Sequence, residues 1–517
     1  VNVLNRAGAP LRVGAAVTLV AALAIGSWQG FTVDAATGIG SGLAVVLAGA
    51  IIAVALSIPG TTPVGLLIGG GMTFSGMLAW SYPATYTWLV NGIIGLVAVV
   101  ITFPWWRNWR DSLRLGTFWF GAPMFGFGAI SAILLEHWKI AAGRVVYTGF
   151  ALLITLMVVQ AARRRGRDLT VGLAVGLLLC QALLLIIGCK YVFDTGWHWT
   201  APNGWGANMS SRFWGGRFLF YHPNAIGFTA VLAGARIGAD PRFKLWQRTS
   251  VFIFVLFMLY IVQSRTSFLM AGVAAGVYGL LYVWRRGLPR WSFWRWLATR
   301  DRRRITALAV LPLVAVILVL GAAGGSSFVF KQRYPAGSSQ NQQQPPETVG
   351  QTFRNATSGR IGTWQAMGSD WWHDPVVAKL LGNNDEIRGY ILRYQDPKDP
   401  RYKGQSKLGA DDGPIAAGRR AGVLGLLALI AGVAVLIWRV ARRDVPAWVA
   451  VTVFAGLATL PMEDELTFTT PTWAMLLAVE AMVVWKVWKT DSGPDELSPG
   501  DAAPDPTSTR ENRPATV

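Results

Sequence analysis

Little of this chain is charged, and still less of it is suited to hold a metal. Asp, Glu, Lys and Arg make up 14% of 517 residues, with four histidines and two cysteines. Cys180 and Cys189 stand nine positions apart in one apolar run. That spacing matches neither a disulfide framework nor a zinc site, and both read as packing residues. A glycine-rich phosphate loop following a strand is missing too. Gly69 to Gly71 lies inside an apolar run, where small residues serve close helix packing. What the chain has instead is hydrophobicity: 53% of its residues are apolar and the mean hydropathy is +0.40. Several apolar runs reach the roughly 20 residues needed to cross a bilayer, so the expected class is a polytopic integral membrane protein, all-α.

The formal charge of +20 does not point to nucleic acid, because the arginines sit in short clusters between apolar runs, the positive-inside pattern. By length there are about fourteen candidate spans. They start near Leu11, Gly40, Val64, Thr87, Thr117, Arg144, Leu169, Phe218, Thr249, Thr266, Ile305, Val423, Val445 and Phe468. With the N-terminus in the cytoplasm, the clusters Arg107, Arg110 and Arg114, then Arg163 to Arg165, then Arg242, Lys244 and Arg248 all fall inside. Arg285 to Arg304 and Arg439 to Arg443 follow the same rule, and both termini are expected inside. The alternate loops are nearly free of basic residues, and the one from Pro461 to Thr467 carries Glu463, Asp464 and Glu465. No small-residue cleavage site precedes the first span, which reads as a retained helix. The Pro/Asp/Ser-rich stretch 491–517 reads as a disordered cytoplasmic tail.

This topology divides the chain into spans over 1–325 with an outer loop at 193–216, a large extracytoplasmic segment at 326–416, and C-terminal spans over 417–490. Within the large segment, Gln340 to Pro346 is a polar linker. Gly359 to Trp372 carries Ile361, Trp364, Met367 and Trp371 at helical spacing. Such a helix either lies on the membrane interface or packs on the bundle; periodicity does not separate the two.

Four outward groups could do chemistry: Arg212 and Arg217 with His222-Pro223-Asn224; Ser264-Arg265-Thr266; Arg354 and Arg360; and Asp411-Asp412. Arginines near a membrane commonly snorkel to lipid phosphate. Arg265 is a different case, since it interrupts an apolar region from Val251 to Trp284, where only a tight hairpin or a polar cavity would tolerate it. Arginines converging from separate loops suit a diphosphate, because the guanidinium fork donates charge-assisted hydrogen bonds in pairs. Asp411-Asp412-Gly413-Pro414 is a turn and helix-start signature, and a carboxylate there could also accept a proton from an attacking hydroxyl. His222 reads as a capping element, and His373 as either a base or a helix stop. No metal-ligand constellation is visible.

The order of these parts over about 212–425 resembles the O-antigen ligase and polymerase (Wzy_C-like) family of bacterial membrane glycosyltransferases. "RFLFYHPNAIG" is similar to the family's Asn-Pro-Asn segment, and "SRTSFLMAG" to its Ser-Arg-Thr/Ala helix start. "SGRIGTWQAMGSDWWHDPVVAKLLGNND" resembles its Gly-Arg, Trp, His-x-Pro and Leu-Leu-Gly series. "ADDGPIAAGRRAGVLG" resembles the segment in which a His-Asn pair precedes a helix with Gly-x-x-Gly. The family's histidine, which assists attack by the acceptor hydroxyl, falls on Asp411, and its asparagine on Asp412. That departs from the ligase pattern without removing a base, since the related SEDS-type polymerases carry an essential acid in their large outer loop.

The resemblance implies a GT-C-like bundle of about 12–14 transmembrane helices in the cytoplasmic (inner) membrane, with a mostly helical outer loop. It implies transfer of a glycan from a polyprenyl (di)phosphate to a glycan or lipid acceptor in cell-envelope polysaccharide assembly, without cofactor or metal. Arg265 and Arg360, with Arg217, Arg212 and Arg354, would hold the diphosphate; Asp411 or Asp412 would activate the hydroxyl; His222, Asn224 and His373 would support them. A Wzy- or SEDS-type polymerase is one alternative, and a transporter of lipid-linked glycan or small solutes is another. The halves show no clear repeat, which disfavours transport. A non-catalytic assembly protein is the third, which a buried Arg265 would disfavour.

Overall fold

The computed structural model describes residues 20–27, 35–58, 62–81, 84–193, 219, 221–262, 264–285, 360–382, 413–442, 445–461, 463 and 470–487. Among them the regular structure is helical throughout, as the composition predicts. The helices are α1 (20–27), α2 (Ala35–Ser57) and α3, which runs Pro63–Leu66, through a π-helical turn Leu67–Gly71, into Met72–Ser81. Next come α4 (Ala84–Thr102), a 3-10 stretch (Phe103–Arg114), α5 (Phe118–Leu134) and α6 (Trp138–Phe193). Then follow α7 (Pro223–Gly238), α8 (Leu245–Val262), α9 (Arg265–Arg285), α10 (Arg360–His373) and α11 (Val376–Leu381). The last three are α12 (Gly413–Arg442), α13 (Ala447–Leu457) and α14 (Pro471–Trp485).

Four helices are long and apolar enough to cross a membrane: Ile140–Arg164, Gly166–Gly188, Leu245–Val262 and Gly413–Ala441. Seven shorter apolar helices of 10–17 residues accompany them among the described residues. Two expected spans, starting near Arg144 and Leu169, share the single helical element α6. At ~1.5 Å per residue a straight helix of that length would extend roughly 84 Å, more than twice the hydrocarbon core, so Arg163 to Arg165 divides it into two spans. The expected span near Ile305, the loop around 194–216 and the tail 491–517 lie outside the described residues.

Local chemistry sets the helix starts. Thr62 and Thr470 accept hydrogen bonds from the backbone N–H of Gly65 and Trp473 at 3.2 Å each, and a proline follows each cap. Ser264 does the same for the Ser267 N–H at 3.2 Å. Between helices the close contacts fall on small residues. At Gly69 an added Cβ would lie 2.4 Å from the Leu173 carbonyl, so α3 and α6 touch backbone to backbone. In lipid, where burial of apolar surface gains little, such contact is what holds helices together. The packing role expected of Gly69 to Gly71 is what the chain uses.

Among the described residues, Arg163, Arg167, Arg236, Arg242 and Arg439 collect at one end of the bundle. Arg163 pairs with Asp111 and stacks 4.7 Å from the Trp485 ring centroid. Arg236 pairs with Asp240 at 2.9 Å, Arg242 and Arg167 approach the same carboxylate at 3.3 and 3.9 Å, and Arg439 pairs with Glu480. Helices α7 and α12 both run from the opposite end to this one, and that opposite end holds the residues of interest.

Candidate functional site

Three separate segments are joined around Asn224 and the turn that carries Glu463. Pro223 at the first position of α7 fixes the helix start after His222, and Asn224 follows with its side chain buried. The Asn224 Nδ2 donates to Glu463 Oε1, joining α7 to the turn between α13 and α14. Glu463 is itself 6% exposed, and its N–H donates to the Thr459 carbonyl at 2.8 Å, which fixes the turn. Three residues before Glu463, the Leu460 carbonyl accepts the Gly413 N–H at 2.8 Å. Gly413 opens α12 immediately after Asp411-Asp412. A Cβ on it would lie 2.8 Å from Leu460 Cδ2 and 3.5 Å from the Glu463 carbonyl oxygen, so the start of α12 is pressed against the Glu463 turn.

The third segment is the start of α9. Ser267 Oγ donates to the Asn224 carbonyl at 3.4 Å, and a Cβ on Gly227 would overlap that hydroxyl at 2.0 Å. Ser264, Thr266 and Ser267 are all buried. Arg265 opens this helix after a break of two residues from Val262. Arg248 Nη2 donates to Tyr278 Oη at 3.4 Å, so α8 and α9 return antiparallel. Of the two environments that would tolerate an arginine here, the chain supplies the tight hairpin, and Arg265 stands at a helix start instead of mid-span.

Helices α10 and α11 dock on the same end. Asp374 accepts from Arg419 Nη1 at 3.0 Å, and Ser131 of α5 donates to the Gly382 carbonyl. Gly382 has φ +91° and Gly422 φ +64°, values that glycine alone adopts without strain. A Cβ on Gly422 would fall 2.2 Å from the Leu380 carbonyl carbon, and one on Gly382 2.4 Å from the Arg420 carbonyl. Gly422 also kinks α12. Met367 and Ala378 are buried, while Trp372 and Val376 are each 70% exposed. The helix expected over Gly359 to Trp372 therefore packs on the bundle through Met367, one of the two alternatives posed by its periodicity, and leaves Trp372 exposed.

Next to this dock, three guanidinium groups are buried: Arg144, Arg419 and Arg420. Arg144 lies 5.6 Å from the Phe125 ring centroid, Phe125 stacks on Tyr147 at 5.4 Å, and Arg144 and Arg420 both act electrostatically on Tyr147. Buried guanidinium groups hold charge where water is scarce, which strengthens their hold on an anion.

Of the residues singled out in the sequence, Asn224, His222, Arg265 and the residue following Asp411-Asp412 are brought to one end. Arg360 opens α10, the helix whose far end docks through Asp374. Arg212, Arg217, Arg354, Asp411 and Asp412 lie outside the described residues. His373 ends α10, exposed, with its Nδ1 2.7 Å from the Ser369 carbonyl one turn earlier, a helix-stop arrangement. Sequence reasoning passed over Glu463, Arg144, Arg419 and Arg420. The signal was present, since an ionisable residue inside an apolar run marks a functional candidate by default. It was applied to Arg265 and not to the Arg419-Arg420 pair. Among the described residues no three His, Cys, Asp or Glu side chains gather as a metal set. No family model matches the chain, and no curated protein matches it.

Proposed function

We propose that this protein is a membrane glycosyltransferase that moves a glycan from a polyprenyl diphosphate to an acceptor hydroxyl at the outer face of the cytoplasmic membrane. The observation that carries the reading is the junction at Glu463, where the starts of α7, α9 and α12 converge at the end of the bundle opposite the basic clusters. Those starts bear the His-Pro-Asn, Ser-Arg-Thr and Asp-Asp-Gly-Pro segments that a ligase-like site would use. In this reading the positive-inside rule turns the basic end to the cytoplasm and the Glu463 end outward.

The donor enters laterally with its diphosphate held by Arg265 and Arg360, assisted by Arg212, Arg217 or Arg354. The acceptor oxygen attacks the anomeric carbon and forms the new C–O bond as its proton passes to Asp411 or Asp412. The bond from the anomeric carbon to the phosphate oxygen breaks, and its electron pair leaves with the polyprenyl diphosphate. The donor bond already stores the driving energy, so positioning and charge neutralisation carry the catalysis.

The test is reconstitution of the full chain in proteoliposomes with a polyprenyl diphosphate-linked oligosaccharide and a hydroxyl acceptor. A new glycosidic linkage with release of polyprenyl diphosphate supports the reading. Passage of the donor across the bilayer with no linkage formed overturns it in favour of transport.

A further inference from the structure

We infer that Glu463 is a positioning residue of this site, acting through Asn224 to tie the turn on which α12 begins to the starts of α7 and α9. The inference rests on the proposed transfer for its kinetic arm and on geometry for the rest. Glu463 is buried at the end of a helical bundle, in a turn between two spans, and buried carboxylates are retained only where donors compensate their lost hydration. One such donor is the Asn224 amide. Asn224 then passes the constraint on, because its own carbonyl accepts from Ser267 within the first turn of α9, next to Arg265. On the other side, the turn carrying Glu463 accepts the Gly413 N–H through Leu460. The residues bridged are 239 positions apart in one case and 43 in the other, so local chain connectivity fixes none of this.

The consequence is a mechanical one. The chain enters α12 at Gly413, whose N–H is held on the Leu460 carbonyl. Misplacing a reacting group by about 1 Å costs on the order of 100-fold in rate, so a side chain that ties this turn to α7 influences rate without touching the reacting atoms. A glutamine at 463 keeps an oxygen that accepts from Asn224, whereas an alanine removes the link. That separates a positioning role from a proton-accepting one, for which the amide is as inert as the methyl group.

Hydrogen exchange and transfer kinetics on the full chain in proteoliposomes test the inference together. Glu463→Ala is expected to speed amide exchange in the peptides covering 413–417 and 223–228 and to lower kcat at least tenfold with KM little changed. Glu463→Gln is expected to keep exchange protected, kcat within threefold of the parent, and an unshifted pH profile. Asn224→Ala should reproduce the alanine effect, and the double variant should add nothing to it. Unchanged exchange in Glu463→Ala overturns the inference. So does a Glu463→Gln variant as slow as Glu463→Ala with exchange intact, since the carboxylate would then act chemically. If the parent protein transfers no glycan at all, the proposed function fails, and the exchange arm still decides whether Glu463 holds the three segments together.

Discussion

The two ends of the bundle use buried charge for different purposes. At the basic end, Glu480 accepts from the backbone of Gly116 and Thr117, from the Thr117 hydroxyl and from Arg439, and so caps the start of α5 from inside α14. Asp240 likewise accepts from Arg236 and from the backbone and side chain of Arg242, while the Arg236 guanidinium lies 3.8 Å from the Trp448 ring centroid. These are closed clamps made within the helices and their short connections. At the opposite end Glu463 and Asp374 bind groups that lead directly into the segments where the sequence puts its arginines and acidic pair. Burial of a charge alone therefore says little about role; what distinguishes the ends is where the bonded backbone goes next.

The sharpest way to break this contrast is to cut a clamp. Glu480→Ala leaves two backbone N–H groups, a hydroxyl and a guanidinium without their acceptor in the interior, and removal of one partner from a buried charged pair costs about 3–5 kcal/mol. The expected result is a large fall in the thermal midpoint of the detergent-solubilised protein, with transfer per folded molecule unchanged. A midpoint equal to that of the parent would show that the basic end is not the stabilising one. The Glu463 end should give the reverse profile. Arg265→Ala and Asp411→Asn are expected to leave the midpoint in place and to abolish most surface-glycan assembly in cells. Each charged hydrogen bond to a diphosphate is worth about 1.5–3 kcal/mol, hence roughly a 10- to 150-fold loss per bond. Intact glycan at normal protein level in both variants would remove Arg265 and Asp411 from the site.

The same contrast shows what the sequence makes legible. Apolar run length announces the helical class, and the arginine clusters announce that one end will be basic, because both are local properties of the chain. Helix starts at Pro223, Arg265 and Gly413 are legible for the same reason: proline, serine and glycine act within one turn. Glu463 was visible only as one acid in a loop poor in basic residues, since its importance comes from Asn224, 239 positions away. Glu480 lies in apolar surroundings that a hydropathy window averages over, and Asp240 stands beside Arg242, Lys244 and Arg248 in a stretch that reads simply as basic. Long-range pairing leaves no periodic trace, so the residues that tie the site together were the ones the sequence concealed.

A smaller effect is expected where α11 crosses α12. Gly422→Ala places a side chain at φ +64° and ψ −159° and drives it into the Leu380 carbonyl, and this glycine-only backbone alone costs about 1–3 kcal/mol for a residue with a Cβ. The strain is local to the dock of α10 and α11. Faster amide exchange over 360–382, with exchange in α14 unaltered, is the expected signature. Equal exchange in the two proteins would mean that the dock is held by Asp374–Arg419 without the close backbone contact.

The smallest effect concerns acid, and it sets the basic end apart once more. Burial by itself raises the Asp240 pKa, but the charges of Arg236 and Arg242 and the Arg242 backbone N–H overcome it, so the carboxyl ends below its ordinary value. A carboxyl whose folded pKa lies below the unfolded one, near 3.9, contributes its full stability above that unfolded value and loses it as pH falls through the folded one. Between pH 8 and 5 Asp240 therefore gives no pH dependence. Below about pH 4 the contribution begins to fade. Asp240→Asn lacks it at every pH, so the gap in thermal midpoint between parent and variant should be constant from pH 8 to 5 and narrow on further acidification. A gap that widens in acid would mean that burial outweighs the arginines and that Asp240 is held nearer to its neutral form, in which case the cluster would be a strained element of the fold instead of a clamp.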